Sequence, residues 1–336
     1  MVSGRDVGGA ALNIQAVAAA AGVSKTTVSH VLSGRRPVAA ATRERVLTVM
    51  GAIGFRPNFF AQALATQRSR SIALFTQDIT NPFYPALARG VQHGLEGDDH
   101  ALMLFDAATG DLGARVDVVI GRMVDGAILA VGDLGPAAAR LGRAGLPVVA
   151  VGFPPPGAPC DAVSADDEGI AADAVAHLHA RGHRRIALVN GPSGAAPGAA
   201  RRAGFRAAKE RLGLPLDPAL ERDADWTRDG GATAAARILD GADPPTAVFC
   251  ANDLMAIGAL DAAHARGLRV PESLAVVGVD DIDAAGLVRP ALTTVALDAD
   301  AMGRAAAALL LRRLRGDAAP PERVTIPHRL VARGSA

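Results

Sequence analysis

Cysteine is nearly absent: Cys160 and Cys250 are the two in 336 residues, far apart and without metal-site spacing. A disulfide framework is therefore excluded, and buried, reduced thiols in a cytosolic protein are the plain expectation. No apolar run approaches the roughly 20 residues that cross a bilayer, so no membrane partner is expected. The first dozen residues, MVSGRDVGGAAL, lack the basic start and apolar stretch of a secretory signal, and residues 1–12 read as a disordered tail. Lysine is scarce as well. Of 35 basic residues only Lys25 and Lys209 are lysines, a bias of composition rather than of mechanism. Aromatic residues make up 3% of the chain, which leaves the single tryptophan, Trp226, conspicuous. Half of the residues are hydrophobic, enough to bury a sizeable core in two or three domains.

A formal net charge of +1 hides an asymmetry. Residues 1–70 hold nine Lys/Arg against Asp6 and Glu44, a local +7, and residues 71–336 carry the opposing −6. A basic head on an acidic body points to a head that meets a polyanion, with a merely solvated basic segment as the bland alternative.

In the head, NIQAVAAAAG places Ile14, Val17, Ala18 and Ala21 at helical spacing behind Asn13 as N-cap. Gly22 ends this helix, and Ser24 caps a second one. There Val28, Val31 and Leu32 form an inward stripe, with Lys25, Thr26, Ser29 and His30 on the other face. The spacing predicts a third helix with Thr42 as cap, an inner face of Val46, Leu47, Met50 and Ile53, and Gly54 as its stop. Two helices joined by a tight glycine turn, the second with a short polar face, make a helix-turn-helix whose second helix fits the major groove. Pro57 then breaks the helix, and Asn58 can cap a new short one with Ala61, Leu64 and Ala65 on one side. That segment is either a plain linker with an exposed leucine or a functional hinge.

From Ser71 the pattern changes. Apolar runs (SIALFTQ, ALMLFDA, DGAILAV, PVVAVGF, RIALVNG, TAVFCAN, LAVVGVD) alternate with amphipathic helices, as in parallel sheets buried on both faces. Four runs precede the Pro-rich loop FPPPGAPCD and three follow it, which predicts two doubly wound subdomains. Ligands bind beyond the carboxyl ends of such strands.

IQAVAAAAGVSKTTVSHVLSG and TRERVLTVMGAIGFRPNFFAQALATQRS resemble the DNA-binding head of the lactose/galactose repressor family without a gap from Ile14 to Ser69. The resemblance continues through DITNPFY, RGHRRIALVNGP, RRAGF, ANDLMAIGAL, VPESLAVVGVDDID, PALTTVALD and HRLVARGSA, so it spans residues 13–335. It implies an all-α helix-turn-helix head (13–57), a hinge helix and linker (58–70), and an effector-binding and dimerisation core (71–336). That core is an α/β pair of doubly wound parallel-sheet subdomains, similar to type I periplasmic binding proteins, with the chain crossing near 161–165, 290–294 and 323–327.

Roles follow from the same resemblance. Lys25, Thr26 and His30 match base-reading positions. Ser24, Thr27, Ser29 and Asn58 match backbone-holding ones. Ala61, Leu64 and Ala65 match a minor-groove hinge in which the leucine wedges between bases. His30 departs from the family's usual arginine, and one imidazole donor replaces a bidentate fork, so the resemblance does not carry the family's base preference over to that position. In the core, Asp78, Phe83, Phe153, Arg201, Trp226, Asn252 and Asp280 are the implied effector contacts. Arg201 fits the Arg-x-x-Gly-Phe position, with Arg202 as the solvated neighbour, and Trp226 matches a stacking aromatic. Asn252 and Asp280 are equally readable as helix caps, and Asp78 as a turn residue. Gly152 stands where some members carry an acid.

A donor fork, hydroxyl acceptors and an aromatic plate suit a sugar or a nucleobase. No catalytic constellation, cofactor fingerprint or metal set is evident: His177 and His179 diverge on one helix, and NGPSGAAPG lacks a following Lys-Ser/Thr. The expectation is a cytoplasmic, homodimeric repressor, not an enzyme. It would bind a double-stranded palindromic operator and respond to a sugar-like small molecule. A transporter's solute-binding module and a co-repressor-dependent regulator are the alternatives.

Overall fold

A computed structural model describes residues 13–33, 36–55, 69–108, 111–120, 124–132, 134–154, 158–192 and 194–336. The expected tail, 1–12, and the hinge positions Asn58, Ala61, Leu64 and Ala65 lie outside them. The chain divides into two compact units, residues 1–70 with 123–125, and residues 71–122 with 126–336.

In the first unit α1 (Ile14–Ala21), α2 (Lys25–Ser33) and α3 (Ala40–Ile53) close on Val17, Ala21, Val28, Val31, Val46 and Met50. Asn13 caps α1, accepting the N–H groups of Gln15 and Ala16. Gly22, left-handed at φ 65°, ends α1 and lets the chain turn sharply into α2. Two expectations for α3 are corrected. It begins at Ala40 behind Ala39, which makes no side-chain cap, so Thr42 lies inside the helix. Leu47 is 47% exposed, and Val49 packs inward in its place; three short helices enclose too small a core to bury both.

The second unit holds two six-stranded sheets. Its first half runs β1 (Ser71–Thr76), α4 (Phe83–Gly94), β2 (Ala101–Asp106), α5 (Leu112–Ile120), β3 (Gly126–Ala130), α6 (Leu134–Arg143), β4 (Val148–Val151) and β5 (Asp161–Ala165). The chain then continues through α7 (Asp167–Ala180), β6 (Ile186–Asn190), α8 (Ala196–Arg211), β7 (Glu221–Asp223), α9 (Arg228–Leu239), β8 (Ala247–Cys250) and α10 (Asp253–Ala265). It ends with β9 (Ala275–Asp280), α11 (Asp283–Leu287), β10 (Thr293–Leu297), α12 (Ala299–Leu314), β11 (Arg323–Ile326) and β12 (His328–Val331).

The strand orders are β11-β5-β4-β3-β1-β2 and β12-β10-β9-β8-β6-β7. All pairings are parallel except β10 with β12. Each sheet reverses direction of winding beside its first strand, between β1 and β3 and between β6 and β8. Those switch points open crevices at the strands' carboxyl ends. The seven expected strands are all present. Six are buried on both faces; β2, at a sheet edge, exposes Met103 and Leu104.

Helix α12 packs on the first sheet together with α4, and α7 packs with α8 on the second. The α4–α12 crossing is made by glycine. A Cβ at Gly90 would overlap the Asp300 carbonyl, and one at Gly303 would overlap the Leu87 carbonyl. The chain passes between the sheets after β5, after β10 and after β11. The middle passage falls after Leu297, because 293–296 pairs with β9 and 294–297 with β12 in the second sheet before the chain leaves it.

Candidate functional site

The outer face of the head is built by capping. Ser24 Oγ accepts the Thr27 N–H at 3.0 Å and lies 2.8 Å from the Thr27 hydroxyl, which fixes the first turn of α2. Lys25 and Thr26 are exposed there, while Ser29 and His30 are half-buried next to the packed Val28 and Val31. A capped helix N-terminus with exposed Lys and Thr side chains is suited to phosphates and base edges.

In the second unit the polar groups converge at the switch points. Arg201, on α8 after β6, is buried. Its Nε donates to Asp167 Oδ1 at 2.7 Å and its Nη1 donates to the Ala251 carbonyl. Its guanidinium carbon lies 6.0 Å from the Trp226 ring centroid. Trp226 is left-handed at φ 69°, and its indole lies over Gly191, where a Cβ would collide with the ring. Arg202 turns to Asp223 and Glu221 at the surface, so Arg201 alone faces inward.

Asp280 ends β9 with φ 116°. Burial raises its carboxyl well above the usual carboxylate range, against the pull of Arg201 and with Asp253 and Asp167 adding to the rise. From the other subdomain comes Tyr84, the only tyrosine, on α4 just after β1. Burial keeps its phenol protonated, the charges of Asp280 and Asp78 add to the effect, and Arg201 opposes it. Phe83 sits edge-on to Tyr84, ring centroids 5.3 Å apart. The Arg201 guanidinium thus lies beside the Trp226 indole, and Arg201, the Asp280 carboxyl and the Tyr84 phenol are near enough to act on one another's charge. This is a set that exchanges hydrogen bonds with hydroxyls and stacks on an apolar ring face.

This chain is 36% identical to the HTH-type transcriptional regulator CelR of Thermobifida fusca over 332 residues, covering 96% of this chain and 97% of that one. The model of bacterial regulatory proteins, lacI family, matches residues 13–58, and that of the periplasmic binding protein-like domain matches residues 175–336. The chain belongs to the lacI family of bacterial regulatory proteins. Among solved structures, the lac repressor dimer bound to operator and the anti-inducer ONPF superposes on this regulator with a TM-score of 0.85 at 28% identity, covering 96% of this chain and 98% of that one. The CelR–cellobiose complex superposes with a TM-score of 0.76 at 34% identity, covering 96% and 99%. This protein is accordingly a ligand-responsive, helix-turn-helix transcriptional regulator, and its relatives are regulators rather than enzymes. No helix among the described residues is long and apolar enough to cross a membrane.

The regulator's remaining sequence candidates fall in different places. Asp78 Oδ1 accepts the Thr80 N–H and hydroxyl at 2.8 and 2.6 Å, closing a turn after β1. Phe153 is 38% exposed on the loop after β4, beside Gly152, whose left-handed backbone has open space around it. Asn252 is buried with both ends of its amide engaged. Oδ1 accepts the Met255 N–H at 2.8 Å, capping α10, and Nδ2 donates to the Trp226 carbonyl at 2.9 Å.

Sequence reasoning missed Tyr84, Asp167 and Asp253. The lone tyrosine in NPFY was a signal of the same kind as the lone tryptophan. Nothing local marked Asp167, whose partner lies 34 residues away.

Proposed function

We propose that this regulator is a repressor that holds a palindromic operator as a homodimer and releases it when a sugar-like molecule occupies the cleft. In this reading Lys25, Thr26 and His30 read bases in the major groove, and Ser24, Thr27, Ser29 and Asn58 hold the backbone. Ala61, Leu64 and Ala65 form the minor-groove hinge. Arg201, Asp280, Tyr84 and Trp226 bind the effector, with Phe83, Asp78, Phe153 and Asn252 around them.

The carrying observation is that Arg201 lies 6.0 Å from the Trp226 ring centroid and that Arg201, Asp280 and, from the other subdomain, Tyr84 act on one another's charge. Arg201 already spends its charge on Asp167, and burial disfavours charge on the Tyr84 phenol and the Asp280 carboxyl, which together favour an uncharged polyol over an ion. The relatives support the same class: one is a complex with cellobiose, another a dimer on its operator.

The test selects bound sequences from random duplex DNA at moderate salt, with and without a panel of neutral sugars and nucleosides. A palindrome whose enrichment falls with one compound is the expected result. Enrichment that rises with a compound makes it a co-repressor instead. Without a palindrome, the operator reading fails.

A further inference from the structure

The chain enters β1 and β3 through neighbouring segments, since the two strands pair in parallel with Ile72 opposite Gly126. Residues 69–70 lead into the first strand and residues 123–125 into the second, and both segments belong to the compact unit of the head. One side chain joins them. Asp125 Oδ1 accepts the Ser69 N–H at 2.7 Å and the Ser69 hydroxyl at 2.9 Å, and its Oδ2 accepts the Arg70 N–H at 3.0 Å. Ser69 and Ser71 are buried, and Arg70 between them is exposed. Arg70 has a left-handed backbone, φ 48°, alone among the described non-glycine residues of this unit. Residues with a Cβ stay in that conformation only where their surroundings hold them. A carboxylate that takes two successive N–H groups and a hydroxyl supplies the hold, because such bonds are stronger than those to a neutral acceptor.

We propose that Asp125 is a positioning residue for operator binding: it clasps the last two residues of the linker and fixes their path where they meet β1. This role rests on the reading of the regulator as a dimer that holds two half-sites. Once one head is bound, the second binds at an effective concentration set by the length and stiffness of the linkers. Fixing two residues at the root of each linker raises that concentration. Releasing them lowers the fraction of molecules poised to hold both half-sites, and the apparent affinity falls by the same factor. Random duplex, held through phosphates without half-site geometry, is indifferent to the clasp.

Two variants loosen the clasp to different degrees. Asp125→Asn keeps the shape but removes the charge and one acceptor oxygen. Ser69→Ala removes the hydroxyl and leaves both N–H bonds in place; it decides the matter if Asp125→Asn folds poorly. Trypsin cutting after Arg68 and Arg70, followed by mass spectrometry under native conditions, reports how often the segment opens without DNA or effector. Cutting should be about tenfold faster in Asp125→Asn and about threefold faster in Ser69→Ala. The DNA probe is the palindrome that the wild type selects from random duplex, titrated beside unselected duplex. Palindrome affinity should fall by about the same factors, with affinity for unselected duplex unchanged. Gly303→Ala, strained at the α4–α12 crossing, controls for general destabilisation and should bind the palindrome like the wild type. Wild-type cutting in the variants would overturn the proposal, and so would faster cutting with wild-type palindrome affinity, which leaves the clasp a purely structural part. Equal losses on both DNAs would place the defect in the head itself and overturn it too. If the wild type selects no palindrome, the operator reading fails first and this role falls with it, while the cutting rates still show whether Asp125 holds the linker.

Discussion

Arg201 answers for both stability and recognition, and the two are separable by substitution. Arg201→Ala leaves Asp167 buried without its partner, which costs about 3–5 kcal/mol and should lower the melting midpoint sharply. Arg201→Lys keeps the charge and loses the planar fork; it should remain folded and bind operator, yet no longer respond to effector. A full response in the lysine variant would move recognition elsewhere. Asp253 adds a pH dependence. Burial raises its carboxyl to about 7, opposed by its bonds from Thr294 and Ile282 and increased by the nearby Asp281. The folded chain keeps this proton where the unfolded chain has lost it, so the stability from this group is full below about pH 4 and declines as pH rises toward 7. Asp253→Asn should flatten that decline in urea melts between about pH 5 and 7, leaving the part due to Asp280, whose shift has the same sign. In the head, His30→Arg should alter the preferred base at one symmetric operator position, read by repeating the DNA selection. An unaltered preference would make His30 a bystander.

At the scale of elements, glycine has opposite consequences according to what surrounds it. Gly303 lies where α12 crosses α4, and Gly303→Ala should destabilise the core by about 1–3 kcal/mol through forced displacement of the helices. Gly142, near the end of α6, has open space around it, and Gly142→Ala should stabilise by roughly 0.5–1 kcal/mol by limiting the unfolded backbone. Thermal melts of both variants check the contrast. The long apolar runs and the head's caps were legible because they are properties of neighbours in sequence. Asn13 and Ser24 cap as read, while Thr42 does not, because α3 begins two residues earlier. Five strands escaped notice: β5, β7, β10, β11 and β12. They are three to five residues long, and some, such as RVTI and HRLV, are only partly buried. Such segments become strands because a partner lies alongside, which no window of local sequence displays.

For the whole molecule, effector and operator are linked by one coupling free energy. Whatever factor an effector from the panel takes from operator affinity, operator DNA must take from effector affinity. Titrations followed through Trp226, with and without operator duplex, should return equal factors, and unequal ones would mean that the two ligands are not competing through one equilibrium. The sequence by itself determined the basic three-helix head, the alternation that makes two parallel sheets, and the strand ends where a ligand would lie. Those depend on periodicity, capping and charge, all carried by residues close together in the chain. Only the tertiary structure decided that Arg201 is pinned to Asp167, that Tyr84 joins the cleft from the other sheet, and that Asn252 both caps a helix and bonds the Trp226 carbonyl. Each of these is a pairing across tens of residues, and burial, which sets both the partners and the protonation states, exists only once the sheets have packed.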